Sequence, residues 1–315
     1  TSLQINYFII IKIQLLMKKN NLSSWPYYSK KEIKAVNDVL KSGKVNYLFG
    51  LHGKKFEKDF CNYFKIKYSV ALANGTVALE LALKAIGIKK GDEVIVTPRS
   101  YFSSASSIIQ VNAKPIFADV DIETQNITVD HIKAVITKKT KAIMCVHLGG
   151  YPCKMNEIMK FAKKRKLFVI EDCSQAHGAK IHNKFVGTFG DIATWSFCND
   201  KIISTGGEGG MVATNNKKYW KYLWSYKDQG KNFNKYFKKN DNKLFKYVHD
   251  IIGTNYRITE MQAAIGIIQL KKLASWIKIR NQYANILNKV LKNFDSIRLC
   301  KYELNYTNSY YRYYF

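Results

Sequence analysis

From about residue 68 the chain alternates short apolar, β-branched runs with stretches patterned as helices. The runs Ser69–Leu72, Glu93–Val96, Pro115–Asp119, Ala142–His147, Leu167–Glu171, Ile192–Phe197 and Met211–Thr214 read as strands. They are short, continuous and mostly apolar, as strands covered on both faces are. Helical patterns over Thr76–Ile86, Asp130–Ile136 and Asn156–Arg165 separate several of them. The alternation predicts an α/β domain with a mostly parallel seven-stranded sheet. Beyond residue 256 a long helical pattern runs through Ile258, Met261, Ile265 and Ile268 toward Leu291, and Tyr310–Phe315 reads as a strand cut off by the chain end. The expected division is residues 17–255 as a large domain and 256–315 as a linking helix with an incomplete α+β small domain. Residues 1–16 are apolar, but the run is short for a membrane span, Lys12 interrupts it, and no small-residue cleavage site follows. Met17 is the expected true start, with 1–16 an upstream or non-native segment.

Composition narrows the class. The 315 residues are 47% apolar and 14% aromatic, which excludes a disordered tail protein and allows a sizeable core. Only four prolines and 18 glycines exclude collagen-like and low-complexity chains. Lys and Arg number 51 against 23 acidic residues, a net charge of +28. Those cations are spread from Lys18 to Lys301 among asparagines, without zinc-finger or basic-zipper spacing. Compositional bias accounts for them, and no nucleic acid is expected, although an anionic substrate would be favoured. The six cysteines form no C-x-x-C pair, so neither a metal site nor a disulfide framework is expected. Reduced thiols fit a cytoplasmic protein.

A parallel sheet places ligands at the carboxyl ends of its strands, so chemistry is sought there. Asn74-Gly75-Thr76 follows the first strand and opens a helix, where free N–H groups favour an anion; an ordinary N-cap is the plainer alternative. Tyr101 and Phe102 follow Thr97-Pro98, placed to stack on a flat ligand or simply to pack in the core. Glu171-Asp172 ends another strand, where a carboxylate holds a protonated ring nitrogen or caps a helix. His177, just beyond, reads as structural. Lys201 follows Trp195-Ser196-Phe197 and precedes the turn Thr205-Gly-Gly-Glu-Gly-Gly210. That turn is neither a phosphate loop ending in G-K-[ST] nor G-x-G-x-x-G. An anion cradle, an aromatic, a carboxylate and a lysine on one sheet edge suit a phosphorylated, cationic heteroaromatic aldehyde, pyridoxal 5′-phosphate.

The ordered set resembles the DegT-type sugar-nucleotide aminotransferases of pyridoxal phosphate fold type I. It comprises Asn74-Gly-Thr76, Thr97-Pro98 to Phe102, Asp119-Val-Asp121, Val146-His-Leu-Gly149, Glu171 to Ala179, Trp195 to Lys201, Thr205 to Gly210 and Gly253 to Gly266. The resemblance covers roughly residues 22–315. It implies that Lys201 condenses with the cofactor and shuttles the proton, and that Asp172 pairs with the ring nitrogen. It implies further that Phe102 stacks on the ring, Gln175 lies against the other side or the phenolic oxygen, and Gly75, Thr76 and Ser196 bind the phosphate. By the same resemblance Asn255 is expected to reach the phosphate of a neighbouring subunit's cofactor, which implies a homodimer with shared sites. The implied reaction moves an amine, usually from glutamate, onto a keto group of a nucleotide-linked sugar. The Gly206–Gly210 turn resembles the 4-amino-transferring branch. Three departures stand out: an extra glycine in that turn, Cys198 where histidine is frequent, and relatives that continue some tens of residues further. Dehydratase relatives carry histidine in place of the lysine, and Lys201 speaks against that branch; a non-catalytic regulatory relative is the third reading.

Overall fold

The computed structural model describes residues 25–237 and 248–315; the expectations for residues 1–16 and for Met17 lie outside them. In chain order the elements are α1 (Lys30–Lys41), α2 (His52–Phe64), β1 (Tyr68–Leu72), α3 (Gly75–Ala85), β2 (Glu93–Val96), α4 (Ser103–Gln110) and β3 (Lys114–Phe117). Then come α5 (Val129–Val135), β4 (Thr140–Val146), α6 (Met155–Arg165), β5 (Phe168–Asp172), β6 (Lys180–Ile181) and β7 (Lys184–Phe185). The last are β8 (Ile192–Ser196), β9 (Gly210–Thr214), α7 (Lys217–Lys227), α8 (Phe233–Phe237), α9 (Glu260–Leu291) and β10 (Tyr306–Thr307). Each predicted strand of the main sheet forms, with ends moved by one or two residues.

The main sheet has seven strands in the order β1-β9-β8-β5-β4-β2-β3. Pairs from β3 through β8 are parallel, while β9 runs antiparallel to both β8 and β1. Successive residues of a strand face opposite sides, and both sides are covered. Val70, Leu72, Ile170 and Val212 pack in one buried cluster with Leu79 and Leu83 of α3. Ala71, Trp195 and Met211 face the other side, against Phe56, Phe60 and Phe64 of α2 and Leu270 and Leu273 of α9. This two-sided burial explains why the strands read as unbroken apolar runs.

The helices begin where side chains can take up free amides. Asn74 Oδ1 accepts the Val77 amide at 3.0 Å and opens α3. At α9 the Thr259 hydroxyl accepts the Gln262 amide while the Thr259 amide donates to Gln262 Oε1, a reciprocal cap for a 32-residue helix. Among the described residues no helix is long and apolar enough to cross a membrane.

The strand expected over Tyr310–Phe315 does not form. A strand needs a ladder partner, and this backbone bonds to a turn instead: the Ser309 amide donates to the Gly150 carbonyl and the Arg312 amide to that of Gly149. Tyr310 has φ of +47°, which no strand tolerates. A Cβ on Gly150 would lie 2.3 Å from Ser309 Oγ, so only glycine lets the segment seat there. The pairing falls earlier, where β10 joins β6 and β7 in a small antiparallel sheet.

Candidate active site

The parallel strands deliver their carboxyl ends to one edge of the sheet, and a cavity of about 860 Å³ opens there. Asn74, Gly75 and Thr76 line it after β1, Pro98 to Tyr101 after β2, Asp172 at the end of β5 with Gln175 beyond it, and Ser196 at the end of β8 with Lys201 beyond it. Residues far apart in sequence meet because the chain returns to this edge after each crossover.

At one end, α3 points its amino terminus into the cavity, a setting that favours an anion. A Cβ added to Gly75 would fall 2.6 Å from the Ser196 Cβ. The absence of a side chain thus lets the Gly75 backbone approach the Ser196 hydroxyl. Thr76 Oγ1 lies 2.8 Å from Ser103 Oγ. These groups suit a phosphate.

At the floor, Asp172 is only 4% exposed. Its Oδ1 accepts the Ser174 amide at 3.1 Å and its Oδ2 the Ser104 hydroxyl at 3.0 Å; Ser104 in turn lies 2.7 Å from Ser100 Oγ. Gln175 lines the wall and accepts the Gly149 amide at 2.7 Å. A phosphate cradle at one end, a carboxylate on the floor and an amine on the wall match, group for group, a phosphorylated pyridinium aldehyde.

On the wall, Lys201 keeps 12% of its side chain exposed, with Nζ 3.2 Å from Asp200 Oδ2 and 3.3 Å from the Tyr311 hydroxyl. Burial lowers the affinity of this amine for its proton, but Tyr311 and Asp200 outweigh it and leave the pKa raised. His177, beside the Phe197 ring, is pushed down to about 3, by burial first and by the Lys201 charge second. It stays neutral near pH 7 and carries no charge into the site.

Two sequence assignments place differently. Phe102 does not line the cavity; it is 76% exposed at the start of α4. Its backbone is already helical, with φ −50° and ψ −34°. Tyr101, Ser103 and Ser104 line the cavity beside it, Ser104 buried and Tyr101 itself 72% exposed. Asn255 is also outside the cavity: it is exposed, its Oδ1 accepts the Arg257 amide at 3.3 Å, and it bridges to Asp228. Sequence reading missed Ser104, although the hydroxyls at 100, 103 and 104 follow a strand end. It also missed Tyr311, Arg312 and Tyr314, which the C-terminal segment lays along the cavity. Arg99 lines the same wall, its guanidinium 5.6 Å from the Tyr314 ring.

Beneath Asp172 the strand is locked from its other face. Glu171 Oε1 accepts the Phe189 and Gly190 amides; Oε2 accepts the Gly187 amide and the His147 ring N–H at 3.2 Å. The Cys153 amide donates to His147 Nδ1, which leaves Nε2 to face the carboxylate. Burial raises the Glu171 pKa, but His147 and the amides outweigh it and leave it lowered. That stabilisation is therefore present above the ordinary carboxylate range and is lost as pH falls through the lowered value. We expect Glu171→Gln to cost roughly 2–4 kcal/mol, because an amide presents a donor to at least one of these donors. Chemical denaturation checks this, and an unchanged midpoint would refute it.

The model of the DegT/DnrJ/EryC1/StrS aminotransferase family matches residues 26–315. A GDP-perosamine synthase of Escherichia coli O157:H7 is 45% identical over 268 residues, 84% of this chain and 69% of that protein. Among solved structures, an aminotransferase from Psychrobacter cryohalolentis superposes with a TM-score of 0.89 at 44% identity, over 92% of this chain and 75% of that one. An E. coli GDP-4-keto-6-deoxy-D-mannose-3-dehydratase with bound hydrated pyridoxal phosphate gives 0.83 at 29% identity, over 91% and 77%. The chain belongs to the DegT/DnrJ/EryC1/StrS aminotransferase family, whose cofactor is pyridoxal 5′-phosphate.

Proposed function

We propose that this aminotransferase moves the amino group of an L-amino acid, L-glutamate, onto the 4-keto group of a nucleotide-linked sugar, in surface-polysaccharide or amino-sugar biosynthesis. The single observation that carries the reading is the lysine amine of residue 201 on the wall of a cavity whose floor is Asp172. The name of the E. coli relative supports a GDP-linked sugar. The 4-keto position rests on the resemblance of the Gly206–Gly210 turn.

Pyridoxal 5′-phosphate, when bound, supplies the electron sink that stabilises negative charge on the carbon beside the amine. The chain supplies the rest. Amides of Gly75 and Thr76 and the Ser196 hydroxyl hold the phosphate. The Asp172 carboxylate keeps a proton on the ring nitrogen, since an opposite charge favours the protonated form. Lys201 Nζ is the condensing amine and then carries the proton to and from substrate carbon. Gln175 borders the ring. Residues 17–255 carry the cofactor, and 256–315 begin the second domain.

We read the protein as a cytoplasmic homodimer with shared sites. Asn255, exposed and outside the lining of its own cavity, supports a contact with the neighbouring subunit's phosphate, and exposed Phe49, Leu51 and Ile252 support apolar pairing. A dehydratase is the second reading, supported by the similarity to the E. coli 3-dehydratase; Lys201, where those relatives carry histidine, opposes it.

Purified protein should be yellow, and borohydride should leave a reduced cofactor on the peptide containing Lys201. A colourless protein, or reduction mapping to another lysine, would overturn the assignment. Glutamate and a panel of keto sugar nucleotides then identify the substrate.

A further inference from the structure

We propose that Asp200 and Tyr311 are positioning residues for Lys201, holding its amine against the cavity wall in a closed triangle of hydrogen bonds. The inference rests on the reading of Lys201 as the condensing amine. Lys201 Nζ donates to Asp200 Oδ2 at 3.2 Å and to the Tyr311 hydroxyl at 3.3 Å, and that hydroxyl donates to the same carboxylate oxygen. The nitrogen also lies 4.7 Å from the centroid of the Tyr311 ring.

Each contact discriminates between the two forms of the amine. The attraction of a carboxylate and of an aromatic ring is strong for an ammonium and largely lost for a neutral amine. The triangle therefore holds Lys201 in its charged form and in one direction while the amine is not bonded to cofactor. Among the described residues, other ionisable groups frame it without supplying a second anion at Nζ. Arg312 bonds the Tyr311 hydroxyl, His177 is neutral, Asp172 is engaged by Ser104 and Ser174, and Glu208 sits by Cys198.

A chemical consequence follows. Condensation requires the neutral amine, which for an ordinary lysine is about one part in a few thousand at neutral pH. The triangle lowers that fraction further, so it slows condensation while keeping a directed proton donor in place. It also makes the C-terminal segment part of the catalytic wall, since Tyr311 lies 110 residues beyond Lys201.

The test measures the amine itself. The full chain is freed of cofactor with hydroxylamine and acetylated briefly with acetic anhydride. Labelling of the Lys201 peptide is followed by mass spectrometry from about pH 7 to pH 10, with exposed Lys271 as the internal reference. Asp200→Asn should move the Lys201 profile to lower pH and raise its labelling near pH 8 about tenfold, as expected for removing one adjacent charge. Tyr311→Phe keeps the ring and loses the hydroxyl, so the rise should be smaller, about two- to threefold. Profiles that superimpose on the parent, or that move to higher pH, overturn the proposal for the residue concerned. Borohydride trapping keeps the two readings apart: trapping at Lys201 without a shift refutes the triangle alone, whereas no trapping refutes the lysine's role.

Discussion

Lys201→Ala is expected to lose amine transfer by about 10⁴-fold or more, because it removes both the condensing amine and the group that carries the proton. The fold should survive the change. Among the described residues the side chain hydrogen-bonds to Asp200 and Tyr311, and these two remain hydrogen-bonded to each other when the lysine is gone. The Trp25 indole donates to the Lys201 backbone carbonyl at 3.0 Å, a bond alanine retains. The measurement pairs single-turnover amine transfer with circular dichroism and the unfolding midpoint. Turnover within tenfold of the parent, in protein that is folded, would refute the assignment of Lys201.

Asp172→Asn tests the other pole of the cavity. The amide is nearly isosteric, and its oxygen can still accept the Ser174 amide. Its NH₂ group can donate to a lone pair of Ser104 Oγ once that hydroxyl's hydrogen turns to Ser100 Oγ. Packing and fold are therefore expected to persist. What disappears is the negative charge, and with it the means of keeping a proton on a ring nitrogen. A loss of about 10²–10³-fold in kcat at saturating cofactor is expected, the size seen when one preorganised electrostatic partner is removed. A rate near that of the parent would leave Asp172 a purely structural residue.

How much of this site was legible depends on the distance over which each signal acts. Asn74 to Thr76, Asp172, Gln175, Ser196 and Lys201 each end or follow a strand that its own residues announce, and the rule that parallel strands deliver ligands at their carboxyl ends brings them together. Phe102 shows how far such reasoning reaches: it lies beside the cavity lining but outside it. A strand end says that an aromatic is near the site, but the local backbone decides which residues line it, and here they are Tyr101, Ser103 and Ser104. The lock under Asp172 was hidden for another reason. Glu171 finds its donors at residues 187, 189 and 190 and its histidine at 147, and no local pattern reports such pairings.

The amino-acid order alone determined the alternation of strands and helices, because buried apolar runs and polar breaks are properties of neighbouring residues. It also determined which chemical groups the sheet edge could offer. The tertiary structure alone decided that β9 runs against its neighbours, and that Tyr310–Phe315 becomes a cavity wall rather than a strand. Both outcomes turn on where backbone groups find their partners, and those partners lie up to 163 residues away along the chain, as from Arg312 to Gly149.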